Sequence, residues 1–146
     1  MAPSTGNPEM GGLPFKILVV DDDEDDRIIL DEAFIEMGYA AEVKKFITGD
    51  ALFNYLGQID AALMPSVIVL DYMMGRVTAM DVLKDLKKDQ RYSTIPVIIH
   101  SSSIPAFIQE KLIKEGACAV VEKGTRLDAI RKFAMSLKEF ANYNKT

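Results

Sequence analysis

The sequence predicts an α/β fold: a five-stranded parallel sheet, doubly wound, with five helices covering both faces. Three observations predict it. Short continuous apolar runs alternate with longer stretches in which apolar residues recur every three or four positions. Residues 17–20 and 67–70 are apolar without alternation, as strands buried from both sides are. Five such strand–helix units follow one another within 146 residues, a length suited to one domain.

Residues 16–20 form the first strand. Residues 24–37 follow as a helix, with Leu30, Phe34 and Met37 at helical spacing and Gly38 as its stop. Residues 41–46 make a second, weaker strand. Ala51, Leu52, Tyr55 and Leu56 mark the second helix, which ends near Gly57. Pro65 introduces a strongly apolar strand over residues 66–70, and Ala79, Val82, Leu83 and Leu86 stripe the third helix. Residues 95–100 are the fourth strand, and Ile108 and Leu112 stripe a helix that ends at Gly116. Residues 117–122 are the fifth strand. Leu127, Ile130, Ala134 and Leu137 stripe the last helix, with Phe133 and Phe140 widening its apolar face. Residues 1–14, rich in Gly, Pro and small side chains, read as a flexible leader before a domain over 15–146, with no output domain.

Composition excludes several classes. With 17 basic and 22 acidic residues, the net charge is −5, which argues against a surface that grips nucleic acid. No apolar run approaches the length of a membrane span, and the start lacks a secretory signal pattern. Cys118 is the lone cysteine, so no intramolecular disulfide forms. A cytoplasmic location is the expectation.

In a parallel α/β sheet, sites form where loops leave the carboxyl ends of the strands. The first strand runs into Asp21, Asp22 and Asp23, the third into Asp71, the fourth into Ser101, Ser102 and Ser103, and the fifth into Lys123. Carboxylates held close repel one another and need a cation to stay ionised together. Mg²⁺ suits them, as a hard ion that prefers oxygen ligands. A carboxylate can also attack phosphorus to give an aspartyl phosphate, whose oxygens then need donors and positive charge. The simpler role of helix cap and first-turn acid accounts for Asp23 to Asp26. It accounts poorly for Asp21 and Asp22, because two acids at the end of a buried strand are costly without a partner. His100, the lone histidine, reads as a partly exposed strand residue, and Cys118 as a packed small side chain.

The segments ILVVDDDEDD, VIVLDYMM, PVIIHSSS and GACAVVEKG, in this order and spacing, resemble the receiver domain of two-component response regulators. The resemblance spans residues 15–140 and implies the strand order 2-1-3-4-5 of flavodoxin-like and CheY-like folds. It implies that Asp71 is the phosphoacceptor, Ser101 the switch hydroxyl and Lys123 the lysine that binds phosphoryl oxygens. Asp21, Asp22, Asp71 and the backbone carbonyl of Met73 would hold Mg²⁺ or Mn²⁺. The implied partners are a histidine kinase or phosphotransfer domain as donor, and a downstream protein or a second copy docking on the fourth helix, fifth strand and fifth helix. Ile104, Pro105, Phe107 and Gln109 lie on that face. The chain looks like a single-domain regulator, and its acid-rich first helix resembles regulators that partner phytochrome-like kinases.

Four positions depart from the family pattern. Gly75 replaces a proline, Thr78 and Ala79 replace an Asp-Gly pair, Gly124 replaces the proline after the lysine, and Val120 replaces the aromatic switch residue. They predict a looser loop after Asp71 and leave room for a receiver fold that binds partners without being phosphorylated. The first motif also has the look of haloacid-dehalogenase-type phosphatases, with Asp21 as nucleophile and Asp23 as acid/base. That alternative lacks the Thr or Val expected after the second acid and an acid pair after Lys123.

Overall fold

The computed structural model describes residues 15–143. The expected leader, residues 1–14, lies outside them. In chain order the elements are β1 (Ile17–Val20), α1 (Glu24–Glu36), β2 (Val43–Phe46), α2 (Gly49–Leu56), β3 (Val67–Leu70), α3 (Ala79–Lys88), β4 (Val97–Ser101), α4 (Ala106–Lys114), β5 (Ala119–Glu122) and α5 (Leu127–Tyr143). The five strands pair in parallel in the order β2-β1-β3-β4-β5, the sheet expected from the sequence.

Alternation along the strands sorts the core into two layers. Leu18, Val20, Ile68, Leu70, Val97 and Ile99 meet Leu52 and Leu56 of α2, Leu83 and Leu86 of α3, and Leu112 of α4. Ile17, Val19, Val67, Val69 and Ile98 meet Leu30 and Phe34 of α1 and Phe133 and Leu137 of α5. Every residue of β1 and β3 is buried, which is why neither strand shows polar alternation in the sequence. Gly38 ends α1 in the left-handed region at φ 69°, the conformation in which a missing Cβ matters.

Some expectations shift. The second strand is shorter than residues 41–46, because Ala40–Glu42 first close a turn of 3₁₀ helix. The segment after Asp71 is ordered by hydrogen bonding: Met73–Met74 and Val77–Thr78 pair antiparallel. Gly75 turns this ribbon at φ 72°, as a tight hairpin requires. Cys118 is exposed rather than packed, since it leads into β5, an edge strand that is only half buried.

His100 is buried rather than partly exposed. It lies on the same side of β4 as Ile98, where α5 covers it, and stacks on Phe133 with ring centroids 3.8 Å apart and planes 13° apart. Burial, aided by the nearby Lys123 charge, lowers its imidazole from 6.5 to about 4. Above pH 6.5 the ring is neutral in both folded and unfolded chains, and its stabilising contribution is complete. As pH falls from 6.5 towards 4, the unfolded chain takes up the proton first and that contribution is lost, by about 3 kcal/mol in all. Urea unfolding of wild type and His100→Phe at pH 7.5 and 4.5 checks this. The variant loses about 2 kcal/mol less than wild type over that interval; equal losses would rule out a buried neutral histidine.

Candidate functional site

Polar residues converge where β1, β3, β4 and β5 end. β1 and β3 pair with Val20 opposite Leu70, and the Asp71 N–H donates to the Val20 carbonyl at 3.0 Å. Asp21 and Asp71, the next residue on each strand, therefore stand side by side, about one strand spacing or 4.8 Å apart along the sheet. The Asp21 N–H is held by the Phe46 carbonyl of β2 at 3.0 Å. β4 extends to Ser101, whose carbonyl accepts the Lys123 N–H at 2.7 Å and turns the chain after β5 towards the same crevice.

The side chains meet there. The Ser101 hydroxyl donates to Asp71 Oδ1 at 3.0 Å, and both residues are buried. Lys123 Nζ lies 3.3 Å from Asp71 Oδ2, 2.9 Å from Asp21 Oδ2 and 2.6 Å from Asp26 Oδ2. The other Asp21 oxygen accepts the Asp23 N–H at 2.9 Å. Asp22 is exposed at the rim, and Met73, two residues past Asp71, opens the ribbon with its side chain outward. The structure thus brings Asp21, Asp71, Ser101 and Lys123 into direct contact and sets Asp22 at their edge.

Burial is the main influence on Asp21 and raises it to about 6. The Asp23 N–H and Lys123 hold it down, and the Asp71 charge pushes it further up. For Lys123, burial alone would lower the ammonium, but hydrogen bonds to Asp26 and Asp21 and the charges of Asp21 and Asp71 outweigh it and hold it above its ordinary value. The ammonium is a counter-ion to several carboxylates and leaves the crevice with excess negative charge. Asp21, Asp22 and Asp71 each offer a carboxylate oxygen, and the three lie within 4.8 Å of one another. Clustered hard oxygens with uncompensated charge fit Mg²⁺ or Mn²⁺ and do not fit a soft metal.

Two members of the site are absent from the sequence-based set. The sequence accounts for Asp26 as a helix-dipole acid in the first turn of α1. Its backbone N–H does donate to the N-cap Asp23, at 3.1 Å, but its carboxylate takes Lys123. Arg27 donates to the Asp21 carbonyl at 2.8 Å. A signal for Asp26 is present: the buried stripe Leu30, Ala33 and Phe34, extended back by four residues, falls on it.

The departures from the family pattern have local solutions. Asp81 accepts the Thr78 N–H at 3.3 Å, capping α3 where the Asp-Gly pair is missing. Gly124 leaves no room for a side chain, because a Cβ there would overlap that of Ala129.

A family model for the response regulator receiver domain matches residues 17–134. Two-component response regulator ORR11 of Oryza sativa is 32% identical over 129 residues, covering 87% of this chain and 84% of its own. A probable methanogenesis regulatory protein, FilR2 of Methanothrix harundinacea, is 27% identical over 92 residues. That match covers 62% of this chain and 59% of FilR2. Among solved structures, the phosphorylated cyanobacterial phytochrome response regulator RcpA superposes with a TM-score of 0.78 at 24% identity, covering 91% of this chain and 97% of its own. The Mn²⁺-bound form of response regulator Rcp1 gives 0.72 at 20% identity, covering 91% and 96%. The chain belongs to the response regulator receiver domain family. Its function is accordingly that of a receiver in two-component phosphorelay signalling.

The contact at Gly124 yields a test. Gly124→Ala lowers stability by about 1–3 kcal/mol through overpacking against Ala129. In Gly124→Ala/Ala129→Gly the two losses are less than additive, as read from urea midpoints. Strict additivity would show that the two positions do not touch.

Proposed function

We propose that Asp71 accepts a phosphoryl group from the phosphohistidine of a histidine kinase or phosphotransfer domain. The convergence of the Ser101 hydroxyl and the Lys123 ammonium on the Asp71 carboxylate carries this assignment. An Asp71 oxygen attacks phosphorus as the donor's N–P bond breaks. The electron pair of that bond stays on the imidazole nitrogen, which leaves as neutral imidazole when its other nitrogen carries the proton. Asp21, Asp22, Asp71 and the Met73 carbonyl would hold Mg²⁺ or Mn²⁺, in keeping with the Mn²⁺-bound form in which Rcp1 has been solved. When bound, the cation supplies charge that offsets the phosphoryl oxygens in the transition state.

Lys123, held charged by its carboxylate partners, binds one phosphoryl oxygen, and the Ser101 hydroxyl turns from Asp71 to another. The crevice thus promotes its own modification rather than turning over a product. Ser101 also lines a groove of about 270 Å³ between β5 and the start of α4, together with Ile104, Gln109 and Val120. Movement of Ser101 reshapes this groove and shifts the population of the α4–β5–α5 face. Phe107 of α4 is exposed, ready for a downstream protein or a second copy. With Val120 in place of an aromatic ring, coupling runs through Ser101 and the loop after β4.

Incubation with Mg²⁺ and acetyl phosphate adds one hydroxylamine-labile phosphoryl group, read by intact mass. Asp71→Asn and chelation by EDTA each abolish it. Labelling of Asp71→Asn would refute the assignment, and turnover of a phosphomonoester lost in Asp21→Asn alone would point to a phosphatase instead.

A further inference from the structure

We infer that Asp26 is a positioning residue, an outer carboxylate that draws Lys123 towards the mouth of the crevice and so weakens its hold on Asp21 and Asp71, the carboxylates a divalent cation would use. This rests on the assignment of the metal site above and gives a role to a residue to which the resemblance assigns none.

The distances rank the three carboxylates around the ammonium. Asp26 is nearest at 2.6 Å, Asp21 follows at 2.9 Å, and Asp71 is an ion pair at 3.3 Å. Accessibility gives the direction of the pull: the Lys123 side chain is 12% exposed and that of Asp26 is 38% exposed, whereas Asp21 and Asp71 are 9% and 10%. The strongest contact is therefore the outermost. α1 fixes its place, since the Asp26 N–H is anchored on the N-cap Asp23 and the next residue, Arg27, is tied to the Asp21 carbonyl. Asp26 cannot drift without unwinding the first turn of the helix.

A lysine has three N–H donors and no preference among carboxylates beyond geometry. Without Asp26, the ammonium would settle on Asp21 and Asp71, the oxygens a cation needs. Metal and ammonium would then compete for the same ligands and repel each other within the crevice. With Asp26 in place, Lys123 keeps one firm partner when Asp21 turns to the metal, and it stays aimed at the Asp71 oxygen where a phosphoryl group attaches.

The decisive measurement is Mg²⁺ and Mn²⁺ affinity of the full chain by isothermal titration calorimetry, with no phosphoryl donor present. Asp26→Asn weakens binding by roughly fivefold, and Asp25→Asn, which removes the same charge from the exposed neighbour on the same turn, changes it by roughly twofold or less. In a Lys123→Met background the effect of Asp26→Asn vanishes, because its action passes through the lysine. An equal loss in both backgrounds, or equal losses from Asp25→Asn and Asp26→Asn, would reduce Asp26 to one more surface charge and overturn the inference. Wild-type protein that binds neither ion would overturn the metal-site assignment as well, and that failure is separate because it appears before any variant is made.

Discussion

The parallel register of β1 and β3 is the constraint on which the crevice depends. Because Val20 lies opposite Leu70, the two strands end together and hand over to Asp21 and Asp71 at the same level. A slip of one residue would do more than separate the two acids: it would exchange every apolar side chain between the two helical layers. The core residues on each face, all fully or nearly fully buried, make such a slip very costly. The packing that stabilises the domain is thus the same packing that holds two like charges together at its edge.

Holding them there requires compensation, and the chain supplies it from the most distant part of its sequence. Lys123 follows β5, about a hundred residues after Asp21, and becomes the shared counter-ion of Asp21, Asp26 and Asp71. Burial works against both charge types: it raises Asp21 and acts to lower Lys123, and it is opposed by the Asp23 N–H and Lys123 at Asp21 and by the Asp26, Asp21 and Asp71 carboxylates at Lys123. Positive charge is nevertheless outnumbered: one ammonium faces the carboxylates of Asp21, Asp26 and Asp71. Close by, His100 stays neutral under α5, so the helix packs over an uncharged surface while the charged groups face the strand ends.

Much of this is legible in the chain. Short unbroken apolar runs bounded by turn residues fit strands covered on both faces, and helical stripes such as Val82, Leu83 and Leu86 supply the covers. Much of the candidate site is legible because Asp21, Asp71 and Lys123 directly follow strands and Ser101 ends one, and in a parallel sheet those positions share one edge. Asp26 is obscured by its surroundings: among the acids at Asp23 to Asp26 that open the helix, capping and dipole compensation explain each member equally well. The burial of His100 and the exposure of Cys118 are hidden for a related reason. Which side of β4 a helix covers, and that β5 is an edge strand, depend on contacts between segments far apart in sequence. The ribbon after Asp71 leaves no pattern because two-residue strands carry no periodicity, and only the left-handed Gly75 marks its turn.

By itself, then, the sequence determined the class of fold, the order of its elements and the identity of the acids, hydroxyl and lysine at the strand ends, since these follow from local periodicity and from the alternation of strand and helix. Only the tertiary structure decided which oxygen meets which donor: that Lys123 sits closest to Asp26, that Ser101 bonds to Asp71, and that His100 is sealed against Phe133. The physical reason is range. Hydrophobic patterning acts within one turn or one strand and can be read along the chain, whereas hydrogen bonds and ion pairs are settled within a few ångströms between segments that only the closed sheet brings together.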